Sequence, residues 1–277
     1  MKQIIDRQSF VIPGAEQWNM TSRHGNTYRI MLWRPDSPAP DEGYPVIYML
    51  DANACFGAMA EAVRMHARGP HRLEAAVVVG IGYDTDQPFD TDCRFYDYTI
   101  PAYKDELPER KNAAPWPKSG GAEQFLNFIE NEVKPIIEQE LSINRRRQTL
   151  FGHSLGGWFA LYTMFTHRQS FQFYAAGSPS IWWKNNYIVP VAERIVRSWK
   201  AGEQLGQQVG LLLGVGGLEK PTMVDGAKEL YELVSQAGIP DLQVEHYCFA
   251  GENHLSVIFP FIVRTVRFIL SEITNEE

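Results

Sequence analysis

Cysteines, basic clusters and long apolar runs are scarce in this sequence, and each absence excludes a class of protein. The three cysteines, Cys55, Cys93 and Cys248, lie far apart without a C-x-x-C motif, so we expect neither a disulfide framework nor a cysteine zinc site. No run approaches the roughly 18 consecutive apolar residues of a membrane span. The net charge is −7, without the basic stripe that binding to nucleic acid requires. We therefore expect no membrane span and no nucleic-acid partner.

A secretion signal is also missing from the sequence. Residues 1–7 contain neither the apolar core nor the small-residue cleavage site of a signal peptide, so we expect a cytoplasmic location. What the chain does have is size and apolar content, because 44% of its 277 residues are hydrophobic, which suffices for a large core. No shift in composition marks a boundary, and we predict a single domain over residues 1–277.

Strand and helix patterns alternate along the chain. Residues 9–12 and 27–33 are predicted to form opening antiparallel strands. Short runs that are apolar on both faces are typical of a parallel sheet covered by helices, and they occur at 46–50, 75–81, 150–151, 173–176, 209–213 and, less uniformly, 242–249. Apolar residues at helical spacing predict helices at 121–141, with a kink at Pro135, at 224–236 and at 255–273. This alternation predicts the α/β class, with a mostly parallel, doubly wound central sheet flanked by helices.

Residues 84–120 interrupt this alternation. They are rich in Asp, Tyr and Pro and show little periodicity. Connections of this length are usually functional, so we predict a loop-rich insertion over the active site.

Residues 152–156 read Gly-His-Ser-Leu-Gly, which is the pattern G-x-S-x-G. An apolar run precedes it and a helix-like run follows it, which is typical of a nucleophile elbow. The sharp turn strains the serine backbone, so the neighbours two positions away, Gly152 and Gly156, are expected to need minimal side chains, with Gly157 packed against the sheet. The alternative is an ordinary glycine-rich turn. The elbow makes Ser154 the candidate nucleophile.

A serine nucleophile needs a base, and the base needs an orienting group. In α/β-hydrolases the chain order is serine, acid, histidine. His254 follows the last predicted strand in a turn-like loop and is the candidate base. Glu219 is the first carboxylate after the run at 209–213 and is the candidate acid, with Asp225 in reserve. A serine–histidine dyad without an acid is also open.

An oxyanion hole needs two backbone N–H groups. One is predicted at Leu155, directly after the nucleophile. The other is predicted in the loop after the run at 46–50, at Asn53, with Ala52 as the alternative. Asp51 precedes the serine and follows the wrong strand for the acid, so we expect it to organise that loop.

Several segments together resemble one family. They are residues 46–54, 120–130, 151–157, 178–183 and 251–254. As a set they resemble the putative esterase family of α/β-hydrolases, which includes the enterobactin-type siderophore esterases and, more distantly, esterase D and the antigen 85 mycolyltransferases. The resemblance implies an α/β-hydrolase fold, with Ser154 as nucleophile, His254 as base, and Asn53 and Leu155 at the oxyanion hole. It also implies a substrate-binding role for Arg94.

Aromatic residues and one cation mark the predicted substrate side. The insertion supplies Arg94, Tyr96, Tyr98, Tyr103 and Trp116, and Trp182 and Trp183 follow a strand end, where active-site loops gather. We take Arg94 and Trp183 as substrate-binding candidates, suited to an aromatic or anionic ester. Loop packing and a structural salt bridge are the competing interpretations.

The sequence thus predicts a serine esterase that works through an acyl-enzyme and needs no cofactor or metal. Its partner is a small-molecule ester, and a siderophore trilactone of the ferric enterobactin or salmochelin type is one candidate. Alternatives on the same fold are a thioesterase, an acyltransferase, or an inactive binding protein. The oligomeric state does not follow from the sequence.

Overall fold

The strands assemble into one sheet. The structure is a computed structural model that describes residues 8–68, 72–110, 114–199 and 205–271. Within these ranges the sheet has eight strands in the order β1-β2-β4-β3-β5-β6-β7-β8. They are β1 Ala15–Thr21, β2 Thr27–Trp33, β3 Tyr44–Leu50, β4 Val77–Tyr83, β5 Ile143–His153, β6 Phe173–Gly177, β7 Val209–Gly216 and β8 Leu242–Phe249.

The six strands from β3 to β8 are parallel, and β1 and β2 extend the sheet antiparallel at one edge. Every residue of β3, β4, β6 and β7 is buried, as continuous apolar runs require when helices cover both faces. The predicted mostly parallel α/β sheet is therefore confirmed.

The first strand lies elsewhere than the sequence suggests. Residues 9–12 form no strand, and Phe10 is 90% exposed, so that prediction is wrong. The strand is Ala15–Thr21, which lies at the sheet edge and packs mainly one face on the core. Trp18 and Met20 supply that face. The apolar run at 10–12 is the stronger sequence signal for a strand, but these residues pair with no strand in the described part of the chain.

Helices cover both faces of the sheet. On one face α1 and α9 pack with alternate strand residues such as Ile47 and Met49. On the other face lie helices α3, α5 and α7 with Tyr48 and Leu50. The helices are α1 Ala52–His66, α2 Thr91–Asp97, α3 Ala122–Phe128, α4 Lys134–Glu140, α5 Leu155–Thr166, α6 Trp183–Asn186, α7 Ile188–Ser198, α8 Pro221–Ser235 and α9 Ile258–Leu270. No helix in the described ranges is long and apolar enough to cross a membrane.

The helix predicted over 121–141 is interrupted close to its proline. A π-helical turn, Ile129–Val133, separates α3 from α4, and Pro135 sits in the first turn of α4. Proline lacks an N–H and its ring clashes with the carbonyl four residues earlier, which favours such a local widening. The irregularity therefore lies where the sequence predicts it.

The insertion at 84–120 contains a helix that the sequence interpretation missed. Asp90 caps α2 by accepting a hydrogen bond from the Cys93 amide at 2.9 Å, which is an ordinary N-cap signal. A 3₁₀ turn, Lys104–Glu106, follows. Through α2 the insertion places Arg94 and Tyr98 beside the end of β3.

Asp97, at the end of α2, is a buried carboxyl with a consequence for stability. Burial raises its pKa from 3.8 to about 7, although the hydroxyls of Tyr28 and Tyr83 act in the opposite direction. The folded protein therefore binds this proton more tightly than the unfolded chain, and stability falls as pH rises from about 4 to about 7. By the conversion of about 1.4 kcal/mol per unit, the loss is on the order of 4 kcal/mol.

We expect Asp97→Asn to remove this pH-dependent loss, because an amide carries no charge to bury. In denaturant unfolding at pH 5 and pH 8, the variant should lose less stability than the wild type between the two values. Asp92→Asn, which changes an exposed carboxyl of the same helix, serves as the control. If the loss of stability between pH 5 and pH 8 is the same in Asp97→Asn as in the wild type, other groups are responsible for it.

Candidate active site

Ser154 stands at the turn between β5 and α5 with a strained backbone. Its φ is 59° and its ψ is −114°, a conformation that L-residues rarely adopt. A Cβ on Gly152 would lie 2.2 Å from the carbonyl oxygen of Gly156, and one on Gly157 would lie 2.8 Å from that of Gly177. At Gly156 itself a Cβ would make only ordinary contacts, the nearest at 3.5 Å. The close approach thus requires glycine at 152 and 157, whereas the clash expected at 156 is not present.

The candidate base and the candidate nucleophile lie within hydrogen-bond reach of each other. His254 Nε2 lies 3.1 Å from the Ser154 hydroxyl. His254 follows β8 in a turn in which the side-chain oxygen of Asn253 accepts the amides of Leu255 and Ser256. This turn fixes the position of the imidazole at the carboxyl end of the parallel strands.

Glu219 completes the chain of hydrogen bonds. Its Oε2 is 2.7 Å from His254 Nδ1, and its Oε1 accepts from the Ser178 hydroxyl at 2.5 Å and from the Gly216 amide at 2.8 Å. Burial raises the pKa of Glu219, but these hydrogen bonds outweigh it and the net pKa is below the ordinary value. An ionised carboxylate only accepts, so Nδ1 must carry the proton and Nε2 is left to accept from Ser154.

Two glycines allow the loop that carries Glu219 to lie against the loop that carries His254. A Cβ on Gly216 would lie 2.5 Å from the Glu252 carbonyl oxygen, and one on Gly217 would lie 2.8 Å from Ala250 Cα. The Gly217 and Leu218 amides donate across this gap to Phe249 and Glu252, at 2.8 and 2.9 Å. The pairing of β7 with β8 thus continues into both loops and sets the distance between Glu219 and His254.

A second imidazole lies beside the base. The His153 ring centroid is 4.7 Å from that of His254, and the His153 side chain is buried without a well-formed hydrogen bond in the described part of the chain. Burial, followed by the nearby His254, lowers the pKa of His153 to about 3, although Glu219 acts in the opposite direction. His153 is therefore neutral at physiological pH and packs against His254 as an uncharged ring.

The backbone amides predicted for the oxyanion hole both lie in first turns of helices. Leu155 begins α5, and Asn53 is the second residue of α1. The first N–H groups of a helix have no partner within the helix and favour negative charge. The Asn53 side chain is occupied elsewhere, since it bonds the backbone of Tyr83 and Thr85 at 2.8 to 2.9 Å. It anchors the start of α1 to the end of β4.

Arg94 and Asp51 form a buried bidentate pair. Arg94 Nε and Nη2 lie 2.9 and 2.8 Å from the two carboxylate oxygens of Asp51. Their side chains are 13% and 4% exposed. Asp51 thus organises its loop as expected, and the structure places Arg94 in the salt bridge that the sequence left open as the alternative. A direct substrate contact by Arg94 stays a prediction.

Trp183 does not face solvent. Its relative exposure is 0%, and its ring packs edge-on against Phe95 with centroids 5.1 Å apart. No surface of the Trp183 ring is open to a substrate in this structure, and its role in substrate binding stays a prediction. The partly exposed Trp182 takes the outer position and lies 5.7 Å from Trp116, centroid to centroid.

A cavity of about 870 Å³ lies within the insertion. Its lining includes three cations, Lys104, Arg110 and Lys118, one carboxylate, Glu109, and the ring of Trp116. It does not include Ser154. The contact of Trp116 with Trp182 connects the cavity to the segment of Ser180, whose hydroxyl is 3.4 Å from that of Ser154.

Sequence reasoning missed two residues of this arrangement. Ser178 has a φ of 40° and holds Glu219, and His153 packs against His254. The position of Ser178 at the end of a parallel strand was the available signal, because such ends meet at the active edge of a sheet. For His153 the sequence offered no signal beyond its place in the elbow.

In the described ranges no group of three or more His, Cys, Asp or Glu could hold a metal ion.

Comparisons with known sequences point to one kind of enzyme. The family described as "Putative esterase" matches residues 21–254. The ferri-bacillibactin esterase BesA of Bacillus subtilis is 44% identical over 268 residues, which cover 95% of this chain and 91% of that protein. The siderophore enterobactin esterase of Emericella nidulans is 30% identical over 290 residues, which cover 93% and 95%.

A solved structure agrees with the fold. The BES protein from Bacillus cereus matches with a TM-score of 0.88 and 39% identity, over 96% of this chain and 99% of that chain. The α/β-hydrolase fold implied by the sequence resemblance is thereby confirmed.

Proposed function

Since the chain belongs to the family described as putative esterase, we propose that it hydrolyses its ester with Ser154 as nucleophile, His254 as base and Glu219 as acid. The observation that carries this proposal is the unbroken chain of hydrogen bonds from Ser154 through His254 to Glu219, at 3.1 and 2.7 Å. That arrangement is the one a serine hydroxyl needs to act at neutral pH.

The reaction proceeds in two halves. Ser154 Oγ attacks the ester carbonyl while His254 Nε2 takes the hydroxyl proton, and the amides of Leu155 and Asn53 stabilise the oxyanion. The intermediate collapses to an acyl-enzyme, and His254 protonates the departing alkoxide. Water then attacks the acyl carbon and gives a proton to His254. His254 passes that proton to Ser154 Oγ as the carboxylic acid is released. Glu219 holds the imidazole in the required tautomer throughout.

The substrate we propose is the trilactone of a catecholate siderophore in its iron(III) complex. Relatives that cover nearly the whole chain are named ferri-bacillibactin esterase and siderophore enterobactin esterase. The cavity in the insertion is basic, with three cations against Glu109, on a chain whose net charge is −7. An iron(III) tris-catecholate complex is anionic and aromatic, so it suits both the cations and the ring of Trp116.

The test is hydrolysis of the ferric trilactone by the purified protein, with mass spectrometry of the products. We expect linear esters and hydroxy-acid monomers from the trilactone, and slower turnover of the iron-free form. Hydrolysis of p-nitrophenyl butyrate alone, with the trilactone recovered intact, would leave an esterase but overturn this substrate.

Arg110→Ala tests whether the cavity takes part in binding. The Arg110 guanidinium lies over Trp116, 5.0 Å from the ring centroid, where it can contact an anionic catecholate. We expect KM for the ferric trilactone to rise about 5- to 10-fold, as for loss of one charge-assisted contact, with p-nitrophenyl butyrate hydrolysis unchanged. Arg197→Ala, at an arginine of α7 that is 75% exposed, is the matched control. Equal KM values in both variants would exclude Arg110 from binding.

A further inference from the structure

The buried guanidinium of Arg94 reaches both turns that lead into the oxyanion amides. It binds the Asp51 carboxylate in bidentate fashion, and its Nη2 also lies 3.4 Å from the carbonyl oxygen of His153. Asp51 directly precedes α1, which carries the Asn53 amide. His153 directly precedes Ser154 and, after it, the Leu155 amide.

Both turns have a strained backbone, so the contacts that hold each turn in place matter for its geometry. Asp51 has a φ of 51° and Ser154 a φ of 59°. Non-glycine residues hold such conformations only where the surroundings fix them. Asp51 is fixed from two sides, because its amide donates to the Tyr98 hydroxyl at 3.1 Å while its carboxylate accepts from Arg94. Arg94 belongs to α2 of the insertion, and Tyr98 directly follows that helix.

The positive charge of Arg94 is neutralised within the protein by the carboxylate of Asp51. Burial alone would lower the pKa of Arg94, but the adjacent Asp51 carboxylate raises it above the ordinary value, so the pair is ionic and its net charge is zero. Two of the guanidinium nitrogens face the Asp51 carboxylate. This arrangement suits a structural tie better than the recognition of an anionic substrate.

We propose that Arg94 is a positioning residue, which joins the Asp51 turn to the His153 turn and thereby sets the separation of the Asn53 and Leu155 amides. The proposal rests on the hydrolytic site proposed above, though not on the identity of the substrate. Because the amides stabilise charge that develops only in the transition state, their displacement lowers kcat rather than substrate binding.

The experiment compares kinetics on a small neutral ester with kinetics on the ferric trilactone. For Arg94→Ala we expect kcat on p-nitrophenyl butyrate to fall about 10²- to 10³-fold, as for loss of one oxyanion donor, with KM within about 2-fold. Affinity for an alkyl boronic acid, which forms a tetrahedral adduct with serine, should fall in parallel. Arg94→Lys, which keeps the charge but not the bidentate fork, should recover part of kcat.

Removal of Arg94 alone leaves the Asp51 carboxylate buried without a partner, which destabilises the fold. The double variant Arg94→Met/Asp51→Asn avoids this, because both charges are removed and asparagine tolerates positive φ. We expect it to fold and to show the same loss of kcat. A folded double variant with wild-type kcat would overturn the proposal.

The competing role gives the opposite pattern. If Arg94 contacts the substrate, Arg94→Ala raises KM for the anionic trilactone and leaves the neutral ester unaffected. That outcome overturns the positioning role. Failure of every variant and of the wild type to hydrolyse the trilactone, with the neutral ester still turned over, refutes the proposed substrate and leaves the Arg94 comparison intact.

Discussion

Ser154→Ala is expected to lower kcat for ester hydrolysis by about 10⁴- to 10⁶-fold, because the proposed acyl-enzyme forms on the hydroxyl that this change removes. The hydroxyl of Ser154 stands at the strained elbow and within 3.1 Å of His254 Nε2. Removal of one oxygen from a side chain that is only partly buried should leave the fold intact. The measurement is the initial rate on p-nitrophenyl butyrate and on the ferric trilactone.

Labelling gives an independent check on the nucleophile. A fluorophosphonate probe should modify the wild type at Ser154 and leave the alanine variant unlabelled. Ser198→Ala, at an exposed serine whose hydroxyl bonds Ile195 within α7, is the control and should match the wild type. Substantial turnover by Ser154→Ala would reject the serine mechanism altogether.

Glu219→Gln is expected to lower kcat by about 10²- to 10⁴-fold with little change in KM. The glutamine keeps the shape but loses the negative charge that stabilises the imidazolium of His254, and its amide can impose the wrong tautomer. Since the pKa of Glu219 is held below its ordinary value, the carboxylate loses its charge only as pH falls below the ordinary range of a glutamate. The wild-type rate should therefore show no inflection from Glu219 between about pH 5 and pH 9.

Asp225→Asn provides the matched control for the acid. Asp225 was the reserve acid on sequence grounds, but it lies exposed in α8, and Glu219 holds the contact with His254. We expect Asp225→Asn to keep kcat within about 2-fold. If Glu219→Gln behaves in the same way, a serine–histidine dyad suffices and the acid role of Glu219 falls.

The parts of the site that the sequence predicted are those that local patterns and chain order determine. The elbow is a contiguous motif, and the order of serine, acid and histidine places His254 and Glu219 after particular strands. Because parallel strands end at one edge of the sheet, the three residues then meet without further information. The structure brings together the three residues chosen on those grounds.

The sequence could not predict features that depend on the direction in which a side chain points. Trp182 and Trp183 are adjacent and chemically identical, yet Trp183 is buried and Trp182 is partly exposed. In the sequence Arg94 is one cation in a segment rich in aromatic residues, and only the structure shows that it is paired with Asp51. The edge strand at 15–21 was missed for a related reason, since a strand with one buried face has a weak apolar signal.

The uncharged ring of His153 beside His254 has a consequence for how protons move during turnover. In the proposed mechanism each half-reaction makes His254 an imidazolium for a moment, and the neighbouring ring of His153, with a pKa of about 3, does not take up that proton. The positive charge therefore stays on one imidazole, between Ser154 and the carboxylate of Glu219. In that mechanism His254 carries the proton, and the neighbouring ring of His153 stays neutral beside it.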